Sequence, residues 1–267
     1  INDGSTDNTE QVINEFDDSR IKHIKSENWG GPARPRNIGI KYSKGKYVSF
    51  LDDDDLWLSN KLDVVHKYTV KFPQSILFCH DESYILNGRF LKNNNYGPYN
   101  QNMYESLLFN KNCVSTSATT VSRLTLNKVR GFSENKDYIS CEDLDLWIRL
   151  SQIGEFTHIP KILGEYHVKT DKSDNISQSA VLHANAGLQV KLSHLKKREK
   201  LFPNDKKNNF GYGKAYRGSS IKLNRGGQYA KSIEDSLKSL QYNWIDYKAI
   251  IVLIFSIFKI QVPSKRI

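Results

Sequence analysis

A short apolar run, Tyr47–Leu51, leads directly into four consecutive aspartates, Asp52–Asp55, followed by Leu56 and Trp57. A continuous apolar segment of that length reads as a buried strand. A strand ending in clustered carboxylates places them at the edge of a sheet, where open α/β folds bind ligands. Four adjacent carboxylates repel one another unless a cation neutralises them, and oxygen donors of this kind suit Mg²⁺ or Mn²⁺ held jointly with substrate phosphates. A calcium EF-hand does not fit, because Trp57 stands where the sixth loop position demands glycine. On these residues alone, a solvated acidic turn remains the competing reading.

The flanking pattern alternates strand and helix. Thr9–Phe16 carries Val12, Ile13 and Phe16 at helical spacing, and Ile21–Ile24 alternates as a short strand does. A helix is expected near Asn37–Tyr42. Another spans Leu58–Phe72, with Leu58, Leu62, Val65 and Tyr68 on one face, before a strand at Ile76–Cys79. This alternation predicts a parallel, doubly wound sheet. Tyr84–Phe90, with Asn87-Gly88 at its centre, reads as a hairpin. Ala118–Val121 reads as a strand, Asp143–Gln152 as a helix, and Phe156–Ile159 and Ile162–Val168 as two strands. From Ser179 onward the pattern is helical, broken at Gly226-Gly227 between two antiparallel helices.

Three further motifs bear chemistry. Asn2-Asp3-Gly4-Ser5-Thr6-Asp7 precedes a helix and serves either as an N-terminal cap or as a site where Asp3 accepts hydrogen bonds from a base or ribose. Pro35-Arg36-Asn37 opens a helix behind a Gly/Pro loop, and its guanidinium is either solvated or available to a base or diphosphate. Cys141-Glu142-Asp143-Leu144-Asp145-Leu146-Trp147 puts carboxylates in a first helical turn. The helix dipole favours them there, and such a position also suits a general base.

Composition narrows the class. With 38% hydrophobic and 25% charged residues in 267, the chain is an ordinary globular protein, neither disordered nor collagenous nor membrane-embedded. The three cysteines, Cys79, Cys113 and Cys141, are too far apart for a CxxC zinc pair and too few for a disulfide framework, so a reducing cytoplasmic setting is expected. The net charge of +10 is unevenly placed: residues 191–267 hold 17 Lys and Arg against 5 Asp and Glu, leaving −2 for residues 1–190. A basic tail favours anionic membrane surfaces or nucleic acid; no nucleic-acid-binding motif accompanies it, so no nucleic acid partner is expected. The sequence opens at Ile1 in what reads as the end of a strand, and an upstream segment is expected.

Together and in order, Asn-Asp-Gly-Ser-Thr-Asp at 2–7, Arg36-Asn37 within 33–39, Phe-Leu-Asp-Asp-Asp-Asp-Leu-Trp at 50–57 and Glu-Asp-Leu-Asp-Leu-Trp-Ile-Arg-Leu at 142–150 resemble the family 2 glycosyltransferases. The resemblance implies a GT-A fold, a mixed sheet flanked by helices, over residues 1–175, with its first strand missing and a basic helical extension at 176–267. It also implies transfer of a sugar from a nucleotide diphosphate sugar, a UDP-sugar by expectation, to a surface-glycan or lipid-linked acceptor, with inversion and with Mn²⁺ or Mg²⁺. Carried over by position, Asp3 and Arg36 resemble the residues that read the donor base. Asp52 and Asp53 resemble donor-binding residues of the DxD motif, and Asp54 its metal ligand, with Asp55 behind them. Asp143 resembles the base that deprotonates the acceptor, with Glu142 positioning that acceptor. His167, in Glu165-Tyr166-His167, is a further candidate metal ligand.

The Gln-x-x-Arg-Trp motif of processive members does not follow the Glu-Asp pair, so single additions are expected. Ala249–Phe258 is apolar for ten residues, about 15 Å as a helix against a ~30 Å hydrocarbon core. Flanked by Trp244, Tyr247, Lys248, Lys259, Lys265 and Arg266, it fits a peripheral anchor on an anionic membrane, at the inner face of the plasma membrane, or a helix docked on protein. Two other functions remain open from the residues: a metal-dependent nucleotidyltransferase or phosphohydrolase, and a degenerate, non-catalytic membrane-binding module.

Overall fold

The strand that feeds the aspartates, β1 (Tyr47–Ser49), is one edge of a six-stranded sheet in a computed structural model that describes residues 1–100, 102–168 and 180–263. The other strands are β2 (Leu56–Trp57), β3 (Ser75–Leu86), β4 (Arg89–Asn94), β5 (Thr119–Ser122) and β6 (Glu155–Val168). Their order is β1-β5-β3-β6-β2, with β4 paired to β3. The aspartate turn therefore leaves one edge of the sheet and arrives at the other.

The sheet is mixed, as the GT-A resemblance implies, and not wholly parallel as the strand–helix alternation reads. Only β3 and β6 pair in parallel, while β1–β5, β5–β3, β3–β4 and β2–β6 are antiparallel. β1, β3 and β6 still run the same way, as the alternation suggests, but three short strands run against them. A parallel return needs a long crossover, whereas a two-residue turn admits an antiparallel neighbour. Asn87-Gly88 is such a turn, both residues at positive φ (49° and 75°), joining β3 to β4 as read. Phe156–Ile159 and Ile162–Val168 form one strand, continuous through Pro160 with an irregular register opposite Asp81. Ile21–Ile24 is not a strand; an isolated parallel bridge joins Asn2 to Lys25 instead.

The N-terminal helices are α1 (Thr9–Asn14), α2 (Ala33–Tyr42), α3 (Lys61–Lys71), α4 (Met103–Phe109), α5 (Arg123–Lys128) and α6 (Glu142–Ser151). α2 starts four residues before the expected position, since Pro35 lies in its first turn, where a missing N–H costs nothing. α3 buries Lys61, Val65 and Thr69, while Leu62 is 59% exposed, so its inner face is rotated from the one read in the sequence. The rotation follows Lys61, whose ammonium lies 3.3 Å over the Trp57 ring and donates to the Ser117 carbonyl at 3.2 Å.

Four more helices follow among the described residues: α7 (Ala180–Leu201), α8 (Lys207–Arg225), α9 (Tyr229–Tyr242) and α10 (Tyr247–Ile257). α8 and α9 flank the Gly226-Gly227 break as expected. The expected domain boundary at 175/176 lies outside the described residues. One hydrophobic core joins the two parts: Leu77 and Val121 of the sheet and Trp147 of α6 cluster with Val190 and Leu195 of α7 and Tyr212 and Ala215 of α8. Among the described residues no helix is long and apolar enough to cross a membrane.

Candidate active site

The aspartate turn is built from backbone outward. Phe50 is buried against Phe132, ring centroids 5.3 Å apart, which anchors the end of β1. The Asp52 amide then donates to Ser117 Oγ at 3.1 Å and the Asp55 amide to the Asp52 carbonyl at 3.1 Å, closing the turn. Asp55 points inward and accepts the His167 amide at 2.9 Å, tying the turn to the end of β6; burial pushes its pKa up to about 7. Asp53 and Asp54 are exposed. The Asp54 carboxyl is raised above its ordinary range, first by partial desolvation and then by the charges of Asp52 and Asp53.

Arg36 links the aspartate turn and the Glu142-Asp143 pair, whose contacting residues lie 16 and 106 positions from it. It donates from Nη2 to Asp52 Oδ1 at 2.6 Å and from Nη1 to Glu142 Oε1 at 2.7 Å, with its guanidinium 5.3 Å over Phe132. The pair is sheltered, Arg36 being 15% and Glu142 6% exposed in their side chains. Burial opposes the charge on Arg36, but Asp52 and Glu142 outweigh it and hold the guanidinium firmly protonated. Asn37 takes the neighbouring loop: its amide donates to the Phe132 carbonyl at 3.0 Å and its Oδ1 accepts the Phe132 amide at 2.8 Å. Gly131 makes this approach possible, since at φ 65° an added Cβ would fall 2.4 Å from Asn37 Oδ1. Asp3 has other partners, Ser26 Oγ at 2.9 Å and the Trp29 amide at 3.1 Å. Arg36 is thus placed with Asp52 and Glu142.

At the start of α6, Asp143 accepts the Leu144 amide at 2.7 Å and the Asn112 side-chain amide at 3.0 Å. Burial, then the adjacent Glu142 charge, push its pKa up to about 7. The rest of α6 is clamped from behind. Asp145 accepts from Arg149 Nε at 2.8 Å and lies 2.9 Å from His194 Nε2 of α7, while Arg149 also donates to the Val129 and Gly131 carbonyls. The helix that presents Asp143 is therefore fixed to both the loop below Arg36 and the C-terminal helices.

Asp3, Arg36, Asp52, Asp53, Asp54, Glu142 and Asp143 all line one cleft of about 1800 Å³. His167 does not: its Nε2 lies 2.8 Å from Glu165 Oε2. No group of three His, Cys, Asp or Glu side chains converges as a metal cage among the described residues. The donor set nevertheless fits a hard cation held with a diphosphate, which needs only one or two protein carboxylates, and Asp54 is a carboxylate whose neighbours leave excess negative charge beside it.

Several residues at the cleft escaped the motif reading. Ser117 holds the Asp52 amide, Asn112 holds Asp143, and Tyr96, which lines the cleft, donates from its hydroxyl to buried Glu82 at 2.8 Å. They lie in stretches without a sequence pattern. Lys191, Lys214, Arg217 and Lys222, of α7 and α8, line the same cleft. Their signal was present, as Lys214, Arg217, Lys222 and Arg225 recur at positions that share one helical face.

Solved structures share this architecture. S. aureus TarS aligns with a TM-score of 0.57 at 16% identity, over 95% of this chain and 48% of that one, and the fold is GT-A. Residues 1–129 match the family model "Glycosyl transferase family 2", and this segment belongs to that family. A Rickettsia bellii protein called an uncharacterized glycosyltransferase is 33% identical over 176 residues, 65% of this chain and 24% of its own length. The Escherichia coli UDP-Glc:alpha-D-GlcNAc-diphosphoundecaprenol beta-1,3-glucosyltransferase WfgD is 33% identical over 148 residues, 55% of this chain and 55% of its own length. The match thus spans about a quarter to a half of these relatives.

Proposed function

We propose that the chain is a metal-dependent, inverting, non-processive glycosyltransferase that moves a sugar from a UDP-sugar to a surface-glycan or lipid-linked acceptor. In this reading residues 1–175 form the catalytic domain and 176–267 its basic helical extension. The observation that carries it is the single cleft lined both by the aspartate turn and by Asp143 at the start of α6. The family match favours this reading over a nucleotidyltransferase, a phosphohydrolase or a non-catalytic module, and the donor and acceptor in the E. coli relative's name support the substrate classes.

The chemistry follows from the placement of charge. Asp3 meets the donor base, and Asp52 and Asp53 the ribose side of the donor. Arg36 bridges Asp52 and Glu142, so that its positive charge offsets part of the repulsion between the donor and acceptor motifs. Asp143 takes the proton of the acceptor hydroxyl as that oxygen bonds to the anomeric carbon. The carbon–oxygen bond to the diphosphate breaks on the opposite face, and its electron pair leaves with the diphosphate. Asp54 would hold Mn²⁺ or Mg²⁺, with His167 as a second ligand once released from Glu165, and the ion would supply charge to the leaving diphosphate. The extension would rest on the inner face of the plasma membrane through α10.

Asp143→Asn tests the base role. Transfer should fall by roughly 10²–10⁴-fold while UDP affinity stays at the wild-type value; retained transfer would remove Asp143 from that role.

A further inference from the structure

The extension carries many solvated lysines, but a few of its cations, Lys191, Lys214, Lys222 and Lys248 among them, are half-buried and line the cleft that holds Asp143, whereas Lys196, Lys197, Lys200, Lys206 and Lys207 are exposed. Lys191 and Lys214 donate to Asn110, at its carbonyl (2.6 Å) and its Oδ1 (3.0 Å), and not to a carboxylate. Among the described residues Lys222 has no ion-pair partner either, while Arg217 beside them pairs with Asp246. Half-buried ammonium groups gathered with no carboxylate in ion-pair contact are costly, because each loses hydration and repels its neighbours. The pKa shifts agree: burial first, then Lys222, Lys214 and Arg217, lower Lys191 to about 8, and Lys214 and Lys222 are lowered too.

We infer that Lys191, Lys214, Arg217 and Lys222 form a second anion site in the cleft, for a phosphate or diphosphate group borne by the acceptor and distinct from the place of the donor diphosphate. Its location argues for the acceptor. Lys222 reaches the start of α6: a Cβ added at Gly187 of α7 would meet Lys222 Nζ at 3.6 Å and Cys141 Sγ, two residues before Asp143, at 3.5 Å. Lys222, at one end of the cation group, thus stands close to the helix start that carries the residue that takes the acceptor proton. Three ammonium groups and a guanidinium on two packed helices match the several oxygens and multiple charges of a diphosphate better than a neutral glycan. Calling the anion the acceptor's rests on the glycosyl-transfer reading; the anion site itself does not.

The test titrates the whole chain with inorganic pyrophosphate, with and without saturating UDP, in the wild type and in Lys214→Gln and Lys222→Gln. Pyrophosphate should bind the UDP-loaded wild type. Each variant should weaken it at least tenfold and change UDP affinity less than twofold. Because each substitution removes a repelling charge, the variants should melt no lower than the wild type, and their fold is checked by that measurement. Pyrophosphate that competes with UDP, together with loss of UDP affinity in the variants, would assign the cations to the donor and overturn the proposal. Unchanged pyrophosphate affinity in both variants would overturn it as well. If UDP fails to bind anywhere while pyrophosphate still depends on Lys214 and Lys222, the anion site stands and the glycosyl-transfer reading fails.

Discussion

Asp143 combines two demands that a lone carboxylate cannot meet, ionisation for proton transfer and burial beside another acid. Burial and Glu142 raise it to about 7, so it carries a proton below that pH and is a base above it. kcat/KM should therefore fall about tenfold per pH unit below about 7. Glu142→Gln removes the neighbouring charge but keeps an oxygen for Arg36, and the limb should move to lower pH; an unmoved limb would assign it to another group. The sign for stability is opposite to that of a paired carboxylate. The fold favours the protonated acid, so its contribution to stability is full below pH 3.8 and is lost as pH rises through about 7. The four motifs that bear these residues were legible in the sequence, because each sits at a strand end or helix start. The partner of Arg36 was not, since Asp52 and Glu142 reach it from 16 and 106 positions away.

At the scale of elements, α10 has two apolar stripes and only one is covered. Ala249, Val252 and Ser256 are buried, on a helix that packs against α8 and α9, while Ile250, Ile254 and Ile257 are exposed, with Trp244 at 81% and Phe258 at 70% exposure. Asp246 fixes the helix start by accepting the Lys248 and Ala249 amides and pairing with Arg217. An apolar stripe flanked by Trp244, Lys248 and Lys259 suits the interface of an anionic bilayer. The chain should sediment with phosphatidylglycerol vesicles at low salt, and Ile254→Ser with Phe258→Ser should weaken this at least about tenfold. No sedimentation of the wild type would contradict the membrane role. Local chemistry made some elements readable and misled on others. Asn87-Gly88 fixed a hairpin, and Asn102, whose side chain accepts the Glu105 amide at 3.0 Å, marks the start of α4 in a pattern that the sequence reading passed over. The inward face of α3 was misread because a lysine on an indole replaces the expected leucine.

Across the whole molecule, the division between a neutral body and a basic tail is a statement about charge and not about packing. The same core holds Leu77, Trp147, Val190 and Tyr212, and one cleft runs from Asp3 to Lys222. The tail's +12 therefore includes cations that face the site, a placement that composition could not reveal because side-chain direction depends on how α7 and α8 dock. The mixed sheet was likewise out of reach of the strand–helix alternation, which records direction for β1, β3 and β6 but not the short strands laid between them. In the proposed function this cleft binds a nucleoside diphosphate through the aspartate turn. Thermal-shift titration with UDP, GDP, CDP and TDP, each with and without Mn²⁺, measures it most directly. A manganese-dependent shift for UDP that disappears in Asp54→Ala is the predicted result; no shift for any diphosphate, or a UDP shift unaffected by Mn²⁺ and by Asp54→Ala, would contradict it.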